Sequence, residues 1–208
     1  MTRMTRFVGG LALVAALSAP LAVAQAQTAT SDRQIMQGLS AVVNDDPSLT
    51  AQVLRQMAQN AVDKNLPLTL DKSEIAKRLD KLAQITVQIQ FALGSAIIRP
   101  ESYGTLGAIA DAMHHPILLN YRFIVVGNTD TTGTRAVNLK LSQQRADAIV
   151  RALVTVFDVS PDRLEAVGLG QEALQVPSKP QDPINRRVQI FTIGTVGAMP
   201  KPVPTNPQ

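Results

Sequence analysis

Few side chains in this sequence of 208 residues have the type and spacing for covalent chemistry. Its two histidines, His114 and His115, are adjacent. Neighbours on a helix point to different sides, so they make neither a metal pair nor a base beside a nucleophile. No metal and no cofactor are expected. The acidic pair Asp45-Asp46 stands directly before Pro47, the pattern of a helix start rather than of two carboxylates flanking a scissile bond. A hydrolase therefore lacks its constellation, and no enzyme is expected. What remains is suited to non-covalent recognition: Asp130 within Gly127-Asn-Thr-Asp-Thr-Thr-Gly133, and Arg145 in the helical pattern that follows. Taken singly, such an aspartate reads as a turn-former bonding its own backbone, and the arginine as a solvated helix residue.

The elements that must position these residues follow from periodicity. Ile85, Val87, Ile89 and Phe91 alternate with Thr86, Gln88 and Gln90, which predicts a half-buried strand. Pro100 to Met113 carries Leu106, Ile109, Ala110 and Met113 on one helical side. Tyr121 to Val126 reads as a second strand ending at Gly127, Arg163 to Gly168 as a third and Arg187 to Ile193 as a fourth. Between the second and third, Ser142 is placed to cap a helix whose apolar face is Ala146, Ile149, Val150, Leu153 and Phe157. The expected architecture is an α/β (α+β) sandwich in the order β-α-β-α-β-β, with helices against one sheet and a right-handed first crossover.

Upstream, residues 34 to 82 read as a small helical module. Asp46 is the expected N-cap of one helix, with Pro47 at its first position. Asp71 and Glu74 are the expected capping box of the next. The chain opens with a basic start, Met1 to Arg6, and a charge-free run, Phe7 to Ala24, closed by Ala22-Val23-Ala24 and Ala24-Gln25-Ala26. That is the layout of a secretory signal peptide, with a mature start at Gln25 or Gln27. A retained anchor is the competing reading, since the apolar run approaches a membrane-spanning length. The division expected is therefore 1–26 signal peptide, 27–83 helical module, 84–195 α/β domain and 196–208 proline-rich tail.

Composition narrows the partners. Arg3 and Arg6 leave with the signal, so the net charge of +4 falls to +2, no electrostatic footprint for nucleic acid. With no Trp, two Tyr and five Phe, the chain lacks stacking platforms and barrel girdles. There is no cysteine, hence no disulfide and no lipid-modified cysteine.

Four blocks stand in order along the second half: Gly127 to Gly133, Asn138-Leu-Lys-Leu-Ser142-Gln-Gln-Arg145-Ala146, Gly168-Leu-Gly170-Gln-Glu172 and Asn185-Arg-Arg-Val188. Together they resemble the OmpA C-terminal-like family of peptidoglycan-binding domains, which also serves peptidoglycan-associated lipoproteins and MotB-type proteins. The resemblance runs from about Thr86 to Ile193. It implies a periplasmic, outer-membrane-associated protein of a Gram-negative envelope whose partner is peptidoglycan, with the helical module left to contact other envelope proteins. It further implies that Asp130 takes the ammonium, and Arg145 the carboxylate, of diaminopimelate in the stem peptide. Thr129 and Asn138 are expected to touch the ligand or orient the loop, and Arg186 and Arg187 to pair with neighbouring acids or hold that loop. With Ser142 as N-cap, Arg145 would sit in a first helical turn, where the helix dipole favours an anion. Where many family members carry His before the Thr-Asp pair, this chain has Asn128. The resemblance also leaves open a MotB-like component anchored through residues 7 to 24.

Overall fold

The computed structural model describes residues 31–41 and 48–196. The expected signal peptide, the Asp46-Pro47 helix start and the proline-rich tail beyond Val196 lie outside the described residues.

One four-stranded sheet organises the described residues. Its strands are β1 (Gln84–Val87), β2 (Tyr121–Asn128), β3 (Leu164–Gly170) and β4 (Val188–Thr195), in the spatial order β1-β4-β2-β3. β2 and β3 run parallel, whereas β4 lies antiparallel between β1 and β2, with Val188 opposite both Val87 and Gly127. One sheet edge thus gathers the carboxyl ends of β1, β2 and β3 and the start of β4. The expected order β-α-β-α-β-β is the order observed, with α4 (Tyr103–His114) between β1 and β2 and α5 (Arg135–Thr155) between β2 and β3.

β1 is shorter than the alternation from Ile85 to Phe91 suggested. The backbone N–H of Gln90 donates to Ser102 Oγ at 2.7 Å, and Phe91 returns to pairing only through an isolated bridge to Ile98. The side-chain hydroxyl therefore replaces the ladder partner that a longer strand would have needed.

The upstream helices are α1 (Asp32–Ser40), α2 (Ala51–Asp63) and α3 (Glu74–Leu79). α2 begins behind Thr50, whose Oγ1 accepts from Val53 N; α3 begins behind Ser73, whose Oγ accepts from Ala76 N, and not behind Asp71. In both cases the residue immediately before the apolar run offers the hydroxyl, and it lies within reach of the orphan N–H groups.

These helices cover both faces of the sheet. Ile35 and Leu39 of α1 enter the core formed by α4, α5 and the side chains of Val87, Phe123, Val125 and Ile190. On the other face, Leu54 and Ala58 of α2 and Ile75 and Leu79 of α3 bury Ile124, Val126, Val167, Leu169 and Phe191. Cross-links reinforce this burial. Thr192 Oγ1 donates to Leu39 O at 2.7 Å, Ser73 Oγ to Glu172 O at 2.6 Å, and Arg55 gives two hydrogen bonds to Ala166 O. Among the described residues no helix is long and apolar enough to cross a membrane.

Candidate functional site

The helix that carries Arg145 starts earlier than the sequence suggested. Thr134 is its N-cap, accepting from Val137 N, and Ser142 lies well inside α5. There Ser142 Oγ donates to Leu139 O and accepts from Gly170 N at 2.8 Å, so this hydroxyl joins the helix to β3 rather than capping anything. Arg145 consequently sits mid-helix, and the dipole argument for an anion at a first turn does not apply to it.

Two glycines set how α5 meets the sheet. A Cβ on Gly127 would fall 2.5 Å from Ser142 O, and one on Gly168 would fall 2.1 Å from Gln143 N. Helix backbone therefore lies directly on strand backbone, an approach only glycine allows. Gln143 completes the junction: its Oε1 accepts from Gly168 N, and its Nε2 donates to Ala166 O.

From this base the loop after β2 is held by its own polar groups. Asp130 is buried; its Oδ1 accepts from Thr132 N at 2.9 Å and its Oδ2 from Arg186 Nη1 at 2.5 Å. Burial pushes the Asp130 carboxyl up, but the hydrogen bonds from Arg186 and Thr132 outweigh it and hold the group below the ordinary aspartate value. Asn138, also buried, donates from Nδ2 to Asp130 O and to Gln171 Oε1. These two hydrogen bonds hold the loop's backbone. Thr129 anchors the same loop through its N–H to Gly170 O at 2.8 Å, while its buried hydroxyl has no partner among the described residues.

Beside the loop lies an open cleft of about 390 Å³ at the carboxyl-end edge of the sheet, walled by Gln88 to Phe91, Asn128, Arg145, Arg186 and Arg187. Arg145 stacks its guanidinium over Phe91, 4.9 Å from the ring centroid, and gives Nε to Ser95 O at 3.0 Å. This is its one side-chain hydrogen bond among the described residues, and it does not use the forked terminal nitrogens. Burial and the nearby charge of Arg186 lower its pKa from the guanidinium value. Arg187 is more deeply placed; burial lowers its pKa to about 10, its Nη2 donates to Ala173 O, and its Nε has no partner among the described residues. The Asn128 side chain donates to Gln189 Oε1, and its own carbonyl oxygen has no partner among the described residues.

Among the described residues the wall contains three arginines and no carboxylate. It is joined to the buried Asp130 by Arg186. Of the four expected site residues, Arg145 lines the cleft directly, Asp130 meets it through Arg186, and Thr129 and Asn138 hold the loop between. Arg186 is an ion-pair partner, one of the two roles foreseen for it. Its place in the cleft beside Arg145 was not legible, because the two lie on elements far apart in sequence. The aromatic support from Phe91 was not legible either, because the alternation places Phe91 at the end of a half-buried strand.

Comparison with known proteins gives consistent matches over this half of the chain. The family model described as "OmpA family" matches residues 90–187. Outer membrane porin F of Pseudomonas fluorescens is 32% identical over 111 residues, 52% of this chain and 33% of that protein. The peptidoglycan-associated lipoprotein of Pseudomonas putida is 37% identical over 82 residues, 39% of this chain and 47% of that one. Among solved structures, the peptidoglycan-associated lipoprotein from Burkholderia pseudomallei is 31% identical with a TM-score of 0.41, covering 50% of this chain and 87% of that one. The match to porin F spans about a third of that relative's length.

Proposed function

Residues 90–187 belong to the OmpA family, and from that membership we propose that this chain is a peptidoglycan-associated protein of the cell envelope. It binds the wall non-covalently and helps to tether or organise the envelope. In this reading the ligand is the free end of diaminopimelate in a stem peptide. Asp130 receives its ammonium and Arg145 receives its carboxylate through two parallel hydrogen bonds, a geometry that lysine cannot reproduce. Thr129 and Asn138 keep the loop in place. The carrying observation is a buried carboxylate whose cationic partner, Arg186, shares one cleft wall with a second guanidinium that has free donors. Peptidoglycan named in relatives of this domain supports the choice of polymer. Export through cleavage before Gln25 or Gln27 belongs to the same proposal.

The test is co-sedimentation of the mature chain with purified sacculi. Pelleting that is lost when free meso-diaminopimelate is added supports the reading. Failure of the folded chain to pellet at any salt concentration refutes it. Mass spectrometry of the exported product reads the cleavage position, and an intact N-terminus in the membrane fraction would refute the soluble form.

A further inference from the structure

The ammonium-accepting carboxylate already holds a cation supplied by the chain itself. Both oxygens of Asp130 are engaged, one by the Thr132 backbone and one by Arg186. The two members of the ion pair differ in their surroundings, for the Asp130 side chain is 5% exposed and that of Arg186 is 50% exposed. Arg186 makes no other side-chain hydrogen bond among the described residues, so nothing else there fixes its guanidinium. Its neighbour across the cleft is Arg145, of the same charge.

We propose that Arg186 holds the position that a ligand's ammonium would take at Asp130 and is released only by a ligand that brings a carboxylate with its ammonium, so that Arg186 sets the specificity for zwitterionic head groups. This rests on the reading of Asp130 and Arg145 given above. A simple amine reaching Asp130 must expel Arg186 toward Arg145 and gives it nothing in return. An amino-acid head places a carboxylate between two guanidiniums as its ammonium takes Asp130, and both cations then gain a partner. Rejection of the amine is thus a charge repulsion built into the site, the kind of element that discrimination between similar ligands requires.

The experiment titrates the full mature chain with meso-diaminopimelate and, separately, with cadaverine, the diamine of the same carbon spacing without carboxylates. Nuclear magnetic resonance shifts at the 127–133 loop provide the readout. The wild type is expected to favour diaminopimelate by at least about tenfold, a difference of about 1.4 kcal/mol. In Arg186→Gln and Arg186→Ala the gap closes to within about threefold, because cadaverine binds more tightly while diaminopimelate binds less tightly. Arg186→Lys retains a tethered cation and keeps most of the gap. If both neutral variants, folded by circular dichroism, keep the wild-type ratio, the proposal is overturned while the diaminopimelate reading stands. If the wild type responds to neither compound, that reading fails and this proposal fails with it.

Discussion

Arg186 Nη1 lies 2.5 Å from Asp130 Oδ2, joining a half-exposed cation to a buried anion across the mouth of the loop. Asp130 also turns the loop by accepting from Thr132 N, so deleting its side chain would remove both a charge and a turn. Asp130→Asn separates them, because an amide oxygen can keep the Thr132 bond. This variant is expected to bind sacculi at least about tenfold more weakly, since a hydrogen bond to a charged group contributes roughly 1.5 to 3 kcal/mol. Its circular dichroism should be unchanged. Wild-type pelleting by the folded variant would remove Asp130 from the ligand contacts.

Arg145→Ala should lose a similar amount of binding, and Arg145→Lys should recover only part of it, because a point charge neither forks onto a carboxylate nor stacks as well on Phe91. Sedimentation at increasing salt would accompany these variants, with wild-type binding falling as salt rises. A lysine variant equal to wild type would exclude bidentate contact.

The pH response follows from Asp130 and from the residue beside its loop. Hydrogen bonds from Arg186 and Thr132 hold the Asp130 carboxyl below its unfolded value, despite burial. The ion pair's contribution to stability is therefore complete above the ordinary aspartate pKa of about 3.9 and is lost as pH falls through the lower folded value. With Asn128 in place of a titrating side chain, binding to sacculi is expected to stay level between about pH 5 and pH 8, the window in which an ordinary histidine would change charge. A step near pH 6.5 in the sedimentation curve would contradict this assignment.

Gly168→Ala should destabilise the protein by at least about 2 kcal/mol, at the severe end of overpacking effects, because the added methyl would meet the Gln143 backbone at 2.1 Å and no side chain can yield there. Urea denaturation measures the loss. A variant unfolding at the wild-type midpoint would mean that α5 can lift from β3 at little cost.

Removing the first helices should also be costly. α2 and α3 cover Ile124, Val126, Val167, Leu169 and Phe191, and α1 contributes Ile35 and Leu39 to the opposite core. The fragment 84–208 is expected to melt well below the chain 31–208 and to bind a dye for exposed apolar surface more strongly than that longer chain. Equal melting temperatures would show that the helices only rest on the sheet.

The strand β2 was legible as an unbroken apolar run, Phe123 to Val126, and β4 and α4 by their apolar periods. The start of α5 was not. Its first turns bury Asn138 and expose Val137, reversing the pattern that marks an apolar face, and Thr134 stands in a polar run where several residues could cap. Asp130 and Arg145 were identified by the order of four sequence blocks, not by their own chemistry. Their environment depends on contacts that cross long stretches of chain, such as Arg186 to Asp130 and Arg145 to Ser95, and local spacing carries no record of these.

The position of β4 between β1 and β2 has a mechanical consequence. The strand begins at Val188 beside the cleft and ends at Thr195, which is paired with the start of β2 at the far edge of the sheet. A pull between a ligand held in the cleft and the chain leaving Thr195 runs along β4. Such a load is carried in shear, by the hydrogen bonds to both neighbouring strands at once, instead of peeling them open one after another. Loaded in this way, the sheet would resist extension along β4 and would yield first where β4 outlasts β1, beyond the pairing of Phe191 with Gln84.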